Sequence, residues 1–223
     1  MGTAAHFLVR RGDQILTFDP LRRERVIVEG RMLDQGFAYV NQTAFTTNAP
    51  EQMKATLLEL LARHPQGLIW DLRDNGGGSM QVTQEVLSYF IEDGLLFSAE
   101  LKGGERKPFM ALGDGIATDV LLAVLIGENT YSSGETAAAA IAGRQRGVLI
   151  GSTTHGKGTI QDTIPLVEDC MLHMTIAKWL SPTGRSYDGQ GVPPDVFARD
   201  DPDTDADEVL QLAVDHLLQQ QDH

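Results

Sequence analysis

Apolar and polar positions follow two different periods along the chain, and this pattern predicts its elements. Apolar runs at residues 68–72, 120–126 and 148–150 are typical of buried strands. Stretches with helical spacing lie between and after these runs, so the order predicts an α/β fold with active residues just beyond strand ends. The apolar helical positions are Met53, Leu57, Leu60 and Leu61, then Val82, Val86, Tyr89 and Phe90, and finally Leu210, Ala213, Val214, Leu217 and Leu218.

Composition narrows the classes of function that the chain can have. The 223 residues carry a formal net charge of −13 at pH 7 without a visible basic patch, which argues against nucleic acid as a partner. No apolar run approaches the ~20 residues of a membrane-spanning helix, and no signal peptide precedes the first strands, so we expect no membrane span and no export signal here. Cys170 is the single cysteine, which excludes an internal disulfide and leaves the redox compartment open.

Three polar residues form the candidate catalytic group. A serine hydroxyl becomes a nucleophile when a neighbour accepts its proton, and a lysine that burial keeps neutral can do so. Ser132 follows an apolar run, and Lys157 lies in a glycine-rich turn between two predicted strands. The stretch 159–180 has an extended pattern, and alternation puts Lys157 and Gln161 on one face, so the Gln161 amide can orient the lysine. The sequence therefore predicts a serine hydrolase with a lysine base.

The start of an alanine-rich helix explains part of this group without chemistry. Ser132-x-x-Glu135 ahead of residues 136–142 is a capping box, and helix caps far outnumber nucleophiles. The two roles are compatible, because the positive field at a helix N-terminus favours a developing oxyanion. We therefore expect Glu135 to support the site rather than to take part in the reaction.

Separated motifs extend this pattern over most of the chain. Lys157 follows Ser132 by 25 positions (157 − 132 = 25), and Gln161 follows Lys157 by four (161 − 157 = 4). With these spacings the chain resembles the carboxyl-terminal processing peptidases, also called tail-specific proteases, from about Gly36 onward. The further segments that carry the resemblance are residues 68–78, 154–158, 181–186 and 189–195.

The resemblance implies a fold and a set of roles. The fold is an α/β core of spiral ββα units, of the crotonase or Clp-protease type, and the activity is that of a serine endopeptidase working through an acyl-enzyme. Ser132 would attack the scissile carbonyl, Lys157 would be the general base, and Gln161 would orient Lys157. Backbone N–H groups of Gly78 and Ser133 would form the oxyanion hole. The implied supporting residues are Glu135 and Gly77.

The same resemblance sets expectations for cofactors, partners and location. It implies no cofactor and no metal, a polypeptide substrate bound as an added strand, a possible homo-oligomer, and an extracytoplasmic site in the bacterial periplasm or cell envelope. Residues 1–30 resemble the last strands of a PDZ domain, the module that binds substrate carboxyl termini in this family, and residues 31–223 resemble the peptidase core. We expect the remnant strands to pair with the core or with another copy.

The sequence departs from the family pattern near the nucleophile. Gly76 stands where a proline is common in the glycine turn, and Ser133-Gly134 stands where alanine and serine are usual. Neither change removes a reacting group. Both affect substrate fit and oxyanion geometry, and they make Ser133 the rival nucleophile.

Other chemistries fit the residues less well. Residues 151–157 nearly match a phosphate-binding P-loop, but a glycine and a strand pattern follow where Ser or Thr and a helix are required. His155 could act as base for Ser132 in a Ser-His-Asp triad, yet no Gly-x-Ser-x-Gly elbow presents the serine. Cys170-x-x-His173 suggests a metal, but strand alternation sends the two side chains to opposite faces.

A binding protein is the alternative class of function. Retinoid-carrying repeats resemble these peptidases and bind apolar ligands, and a fold never fixes a function. A catalytically silent module that binds peptides or apolar ligands is therefore the alternative. The presence of Ser132, Lys157 and Gln161 together favours the enzyme.

Overall fold

A computed structural model of the chain describes residues 2–167 and 170–221. Strands and helices alternate along most of it, as the apolar pattern predicts for an α/β fold. The elements are β1 (Phe7–Arg11), β2 (Gln14–Phe18), β3 (Val28–Met32), β4 (Ala38–Gln42), α1 (Ala49–Leu61), β5 (Leu68–Asp71), α2 (Met80–Ser88), β6 (Leu95–Leu101), β7 (Arg106–Met110), β8 (Leu122–Ile126), α3 (Ser133–Gly143), β9 (Val148–Gly151), β10 (Thr159–Pro165), β11 (Met171–Leu180), β12 (Val196–Phe197) and α4 (Glu208–Gln221).

The central sheet has six strands in the order β12-β9-β8-β5-β4-β3. The strands from β12 to β4 run parallel, and β3 pairs antiparallel with β4 at one edge. The three apolar runs of the sequence form its middle as β5, β8 and β9, which are almost wholly buried. Parallel strands end at a common edge, so the loops after β5 and β8 bring the glycine turn and Ser132 to the same side of the molecule.

Alternate side chains of the central sheet pack into two separate cores. Trp70 and Val124 face one core together with α1, α2 and α3, whereas Ile69 and Leu125 face the other core together with α4. Trp70 is fully buried and stacks on Phe90, with ring centroids 4.5 Å apart. The candidate site lies on the face of the sheet that carries α3, and α4 covers the opposite face.

Two smaller antiparallel sheets complete the fold. The first has the order β10-β11-β6-β7, which leaves β10 at an edge, and it packs through Phe97 and Trp179 against the core that contains α3. The second is the hairpin of β1 and β2, whose side chains, such as Leu8 and Ile15, are exposed. Within the described residues this hairpin forms no strand pairs with the core sheets. Pairing with another copy stays a prediction.

The predicted elements are confirmed, with shifts at their ends. The extended stretch 159–180 is the hairpin of β10 and β11, because a period of two is the same on both arms and does not mark the turn. Tyr89 and Phe90 lie just beyond α2 and are buried there. In α4, Leu218 is exposed and Val209 belongs to the buried stripe. Of the helices in residues 2–167 and 170–221, none is long and apolar enough to cross a membrane.

Candidate active site

Ser132 lies directly before α3, at the end of the loop that follows β8. Its backbone has φ 54° and ψ −113°, outside the extended conformation of a usual N-cap residue and in a region that non-glycine residues rarely adopt. Strain of this kind costs on the order of 1–3 kcal/mol, persists only where the surroundings impose it, and clusters at functional sites. Ser132 is half-buried and lines a cavity. Its orientation is therefore fixed by its neighbours.

The carboxylate of Glu135 joins the two candidate catalytic residues through their backbones. Its Oε2 accepts hydrogen bonds from the N–H groups of Ser132 and Lys157, both at 2.8 Å. Its Oε1 accepts from Thr154 Oγ1 at 2.7 Å and from the Gly156 N–H at 2.5 Å. Glu135 is 0% exposed, so these four donors replace its contact with water. One side chain thus fixes the helix start relative to the loop that carries Lys157.

The side chain of Lys157 lies between an amide and an aromatic ring. Its Nζ donates to Gln161 Oε1 at 2.7 Å and lies 5.0 Å from the centroid of the Tyr131 ring. The Gln161 amide is held in turn, because its Nε2 donates to Thr159 Oγ1 at 3.0 Å. Among the residues that the structure describes, no hydrogen bond joins Lys157 Nζ to Ser132 Oγ. Catalytic hydrogen bonds are often long before substrate binds, so this arrangement is compatible with a lysine base.

Trp179 anchors the backbone of the lysine loop. Its indole N–H donates to the Lys157 carbonyl at 2.8 Å, and its backbone N–H donates to the Gly158 carbonyl at 3.0 Å. Trp179 is buried, and its ring stacks on Tyr187 with centroids 5.9 Å apart. The loop is therefore fixed both by Trp179 and by the Glu135 carboxylate.

The glycine turn after β5 lies against Ser132. Asn75 is fully buried, and its Oδ1 accepts a hydrogen bond from the Gly77 N–H at 2.9 Å. A Cβ atom on Gly77 would lie 2.8 Å from Ser132 Cβ, and one on Gly78 would lie 2.2 Å from the Phe45 carbonyl oxygen. Both positions also have positive φ, so glycine is required at each of them.

Two N–H groups beside Ser132 are free to bind an anion. In the described part of the chain, the backbone N–H groups of Gly78 and Ser133 have no hydrogen-bond partner. The Ser133 nitrogen lies 3.1 Å from the point that a Cβ on Gly77 would occupy, so the turn and the helix start are in contact. Unpaired donors on both sides of a serine are what an oxyanion hole requires.

The hydroxyl of Ser133 fixes this turn in place. Its Oγ donates to the Gly78 carbonyl at 3.0 Å and contacts Met80 Sδ at 3.8 Å. Ser133 is 0% exposed, whereas Ser132 reaches the cavity. The geometry thus favours Ser132 over Ser133 as the nucleophile.

A cavity of about 580 Å³ opens beside Ser132. One wall is the edge strand β10, another is the start of α2, and the remainder comes from β6, β7 and β11. Its largest apolar side chains indicate a site for an apolar group rather than for a phosphate or a sugar. They are Met80, Leu101, Phe109, Ile160 and Ile176.

A charge network lies on the opposite face of the central sheet, at the start of α4. Arg73 pairs with Asp71 and with Asp207, both at 2.7 Å, and with Asp200 at 3.2 Å. Burial would lower the pKa of Arg73, but hydrogen bonds and charges from Asp207 and Asp71 outweigh it and raise the pKa. Burial, followed by the Asp71 charge, raises the pKa of Tyr39 to about 12. This network ties α4 to β4 and β5.

Two of the three rival chemistries, the Ser-His-Asp triad and the P-loop, lack the geometry that they require. His155 is exposed, and its ring lies edge-on to Tyr131, with centroids 4.7 Å apart. No hydrogen bond joins the His155 ring to Ser132 among the described residues, so a Ser-His pair is not assembled. The P-loop reading fails because strand β10, and not a helix, follows residues 151–157.

Sequence reasoning missed three residues that shape the site. Asn75 lies within the motif at residues 68–78, and an asparagine before glycines is a common turn-former. Tyr131 directly precedes Ser132 in the sequence, which was a signal that it lies close to the site. Trp179 gave a weaker signal, namely that a buried indole N–H needs an acceptor.

The chain is similar to known proteins in sequence and in fold. The profile of peptidase family S41 matches residues 36–198. The chloroplastic carboxyl-terminal-processing peptidase 3 of Arabidopsis thaliana is 32% identical over 170 residues, which cover 75% of this chain and 32% of that protein. The carboxy-terminal processing protease CtpB of Bacillus subtilis is 28% identical over 170 residues, covering 75% and 35% of the two chains. The chain spans less than half the length of these relatives.

Solved structures share the fold. The photosystem II D1 C-terminal processing protease superposes with a TM-score of 0.72 at 24% identity, covering 88% of this chain and 56% of that one. A lipoprotein from Streptococcus agalactiae superposes with a TM-score of 0.71 at 19% identity, covering 88% and 71%. At these identities the likeness concerns the arrangement of helices and strands.

Proposed function

Because the chain belongs to peptidase family S41, we propose that it is a serine endopeptidase that cleaves polypeptides, with Ser132 as nucleophile and Lys157 as general base. One observation carries the proposal. The strained serine lies between two unpaired N–H groups, and the Glu135 carboxylate binds its backbone together with that of the lysine. A structural helix cap needs neither the strain nor the free donors.

The proposed reaction uses groups that this site holds. Ser132 Oγ bonds to the scissile carbonyl carbon while its proton passes to Lys157 Nζ. The carbonyl oxygen becomes an oxyanion and accepts hydrogen bonds from the N–H groups of Gly78 and Ser133. The ammonium of Lys157 then protonates the leaving amine as the C–N bond breaks, which leaves an acyl-enzyme. A water molecule, deprotonated by Lys157, releases the acyl group, and Gln161 orients Lys157 throughout.

The substrate is proposed to bind in an extended conformation. Strand β10 is the free edge of its sheet, and its residues 159–162 line the cavity beside Ser132. An added strand would pair with β10 through backbone hydrogen bonds, and an apolar side chain of the substrate would fill the cavity. This supports a preference for an apolar residue near the cut.

Cleavage of an unfolded protein by the purified chain tests the proposal. We expect Ser132→Ala and Lys157→Ala to lower the rate by roughly 10³-fold or more, and Ser133→Ala to retain measurable turnover. The wild-type rate should rise from neutral to alkaline pH as Lys157 loses its proton. Full activity in Ser132→Ala would overturn the assignment, as would a loss confined to Ser133→Ala.

The alternative is a catalytically silent module that binds a peptide or an apolar ligand in the same cavity. It is supported by the position of Lys157 Nζ, which contacts Gln161 and Tyr131 rather than Ser132 Oγ. A fluorophosphonate probe separates the two functions, because it labels an activated serine covalently. Labelling of wild type but not of Ser132→Ala favours the enzyme. Absence of labelling, together with saturable binding of a fluorescent fatty acid, favours the module.

The organisation and location of the protein are also proposals. We propose that residues 1–30 are the end of a PDZ domain, that the exposed β1–β2 hairpin contributes to a homo-oligomer, and that the protein works outside the cytoplasm. The family resemblance supports the location, and the relatives include chloroplastic and bacterial processing proteases. Sedimentation of the chain with and without residues 1–23 tests the oligomer, and cell fractionation tests the location.

A further inference from the structure

The ring of Tyr131 is a second neighbour of Lys157 Nζ, besides the Gln161 amide. Nζ is 5.0 Å from the ring centroid, within the ~6 Å over which an aromatic face attracts a cation. The other contact is the hydrogen bond to Gln161 Oε1 at 2.7 Å. Both neighbours therefore interact best with the ammonium form of the lysine. Tyr131 is also the residue directly before Ser132.

Backbone hydrogen bonds and a ring contact hold Tyr131 in place. The Tyr131 N–H donates to the Asn75 carbonyl at 2.9 Å, and the Tyr131 carbonyl accepts from the Gly134 N–H at 3.0 Å. The His155 ring packs edge-on against it at 4.7 Å, and the His155 N–H donates to the Thr130 carbonyl at 3.1 Å. The same backbone contacts fix the glycine turn and the helix start, so the ring, the oxyanion donors and Ser132 are positioned together.

We propose that Tyr131 is a positioning residue for the reaction proposed above: its ring face contacts Lys157 Nζ and stabilises the ammonium form of that lysine. The inference rests on the proposed function for its effect on catalysis. When Ser132 Oγ gives its proton to Lys157, a cation forms next to the ring. The ring stabilises that cation while the oxyanion is present, and later while the ammonium protonates the leaving amine.

Other titratable groups near Lys157 must be kept constant in a test. The Glu135 carboxylate of α3 accepts from the Lys157 N–H, and His155 lies in the same loop. Asp188 accepts from the Gly158 N–H at 3.1 Å and pairs with Lys178 of β11 at 3.1 Å. A substitution that changes only the electron density of the ring at position 131 leaves these four titratable groups unchanged.

The experiment compares Tyr131→Phe with Tyr131→3,4,5-trifluorophenylalanine in the full chain. The two rings have nearly the same shape, but the fluorinated face attracts a cation much less. Removing this attraction favours neutral lysine, so we expect the titration midpoint of Lys157 to fall by about half to one pH unit. The midpoint is read from the side-chain NMR signals of Lys157 in a Ser132→Ala background, which needs no activity. Equal midpoints in the two variants would overturn the proposal.

Kinetics then test whether the ring acts in the reaction. Relative to Tyr131→Phe, the rising limb of the pH profile should shift by the same amount in the fluorinated variant, with kcat lowered about fivefold and KM little changed. Equal kcat and equal pH profiles in the two variants would also contradict the proposal. If no variant cleaves peptide yet the midpoint moves, the contact with Lys157 stands while the proposed function fails.

Discussion

At the residue scale, the Glu135 carboxylate determines the relative position of serine and lysine. A carboxylate only accepts hydrogen bonds, and each of its oxygens here receives two, from Ser132 and Lys157 on one side and from Thr154 and Gly156 on the other. A helix cap would require only the bond from the Ser132 N–H. The other three bonds explain why a charged residue is buried at this position.

Glu135→Gln tests this arrangement. A glutamine amide has one donor group where the carboxylate has an acceptor, so two of the four bonds are lost in either orientation. We expect the free energy of unfolding to fall by about 2–4 kcal/mol and peptide cleavage to drop at least tenfold, measured by urea unfolding and by a peptide assay. The matched control is Glu128→Gln, because that carboxylate is exposed and pairs with the exposed Arg199. Equal effects of the two changes would contradict the role of Glu135.

At the element scale, the turn from β5 to α2 requires glycine only where other backbone comes close to it. Gly78 carries a proposed oxyanion donor, and the Phe45 carbonyl leaves no room for a side chain there. Gly76 lies two positions earlier in open space, without positive φ. The two glycines look alike in the sequence but differ in what surrounds them.

Gly78→Ala and Gly76→Ala form a matched pair for this turn. At Gly78 the new methyl group would lie 2.2 Å from the Phe45 carbonyl oxygen, so the turn must move and its N–H turns away from Ser132. We expect a loss of about 1–3 kcal/mol in unfolding free energy and at least a hundredfold loss of cleavage. Gly76→Ala should change stability by less than about 1 kcal/mol and keep turnover. Comparable activity of the two variants would argue against the oxyanion role of Gly78.

The sequence predicts those features of the site that depend on motif spacing and periodicity, but not those that depend on contacts between distant segments. Ser132, Lys157 and Gln161 could be predicted because the motif spacing and the strand periodicity are visible in the sequence, and their catalytic roles stay a prediction. The backbone conformation of Ser132 and the contact of Tyr131 with Lys157 could not, because they arise where the Asn75 turn packs against α3. The strands β5, β8 and β9 were predictable from apolar runs. By contrast, β7 lies at a sheet edge with mostly exposed side chains, and the sequence gives it only a weak periodic signal.

At the scale of the whole molecule, the two faces of the central sheet have separate tasks. One face carries the site, and the other is closed by α4, which is attached by its apolar stripe and by Arg73. Arg73 bonds both Asp71, which is buried, and Asp207 of the residues leading into α4. A change at Arg73 should therefore affect the stability of the fold far more than the chemistry at Ser132.

Arg73→Met should destabilise the protein by about 3 kcal/mol at pH 7, because Asp71 would stay buried without its partner. Burial alone would raise the pKa of Asp207, but hydrogen bonds from Arg73 and from the Leu210 N–H outweigh it and lower the pKa. A lowered folded-state pKa contributes stability above the unfolded value of about 3.9, and this contribution is lost as the pH falls through the folded value. The difference in unfolding free energy between wild type and Arg73→Met should therefore shrink from pH 7 to pH 3, as measured by urea unfolding.

Arg106→Met is the control for this prediction. It breaks the exposed pair with Glu100 and should cost less than about 1 kcal/mol. A difference that stays constant with pH would show that Asp207 does not contribute through Arg73.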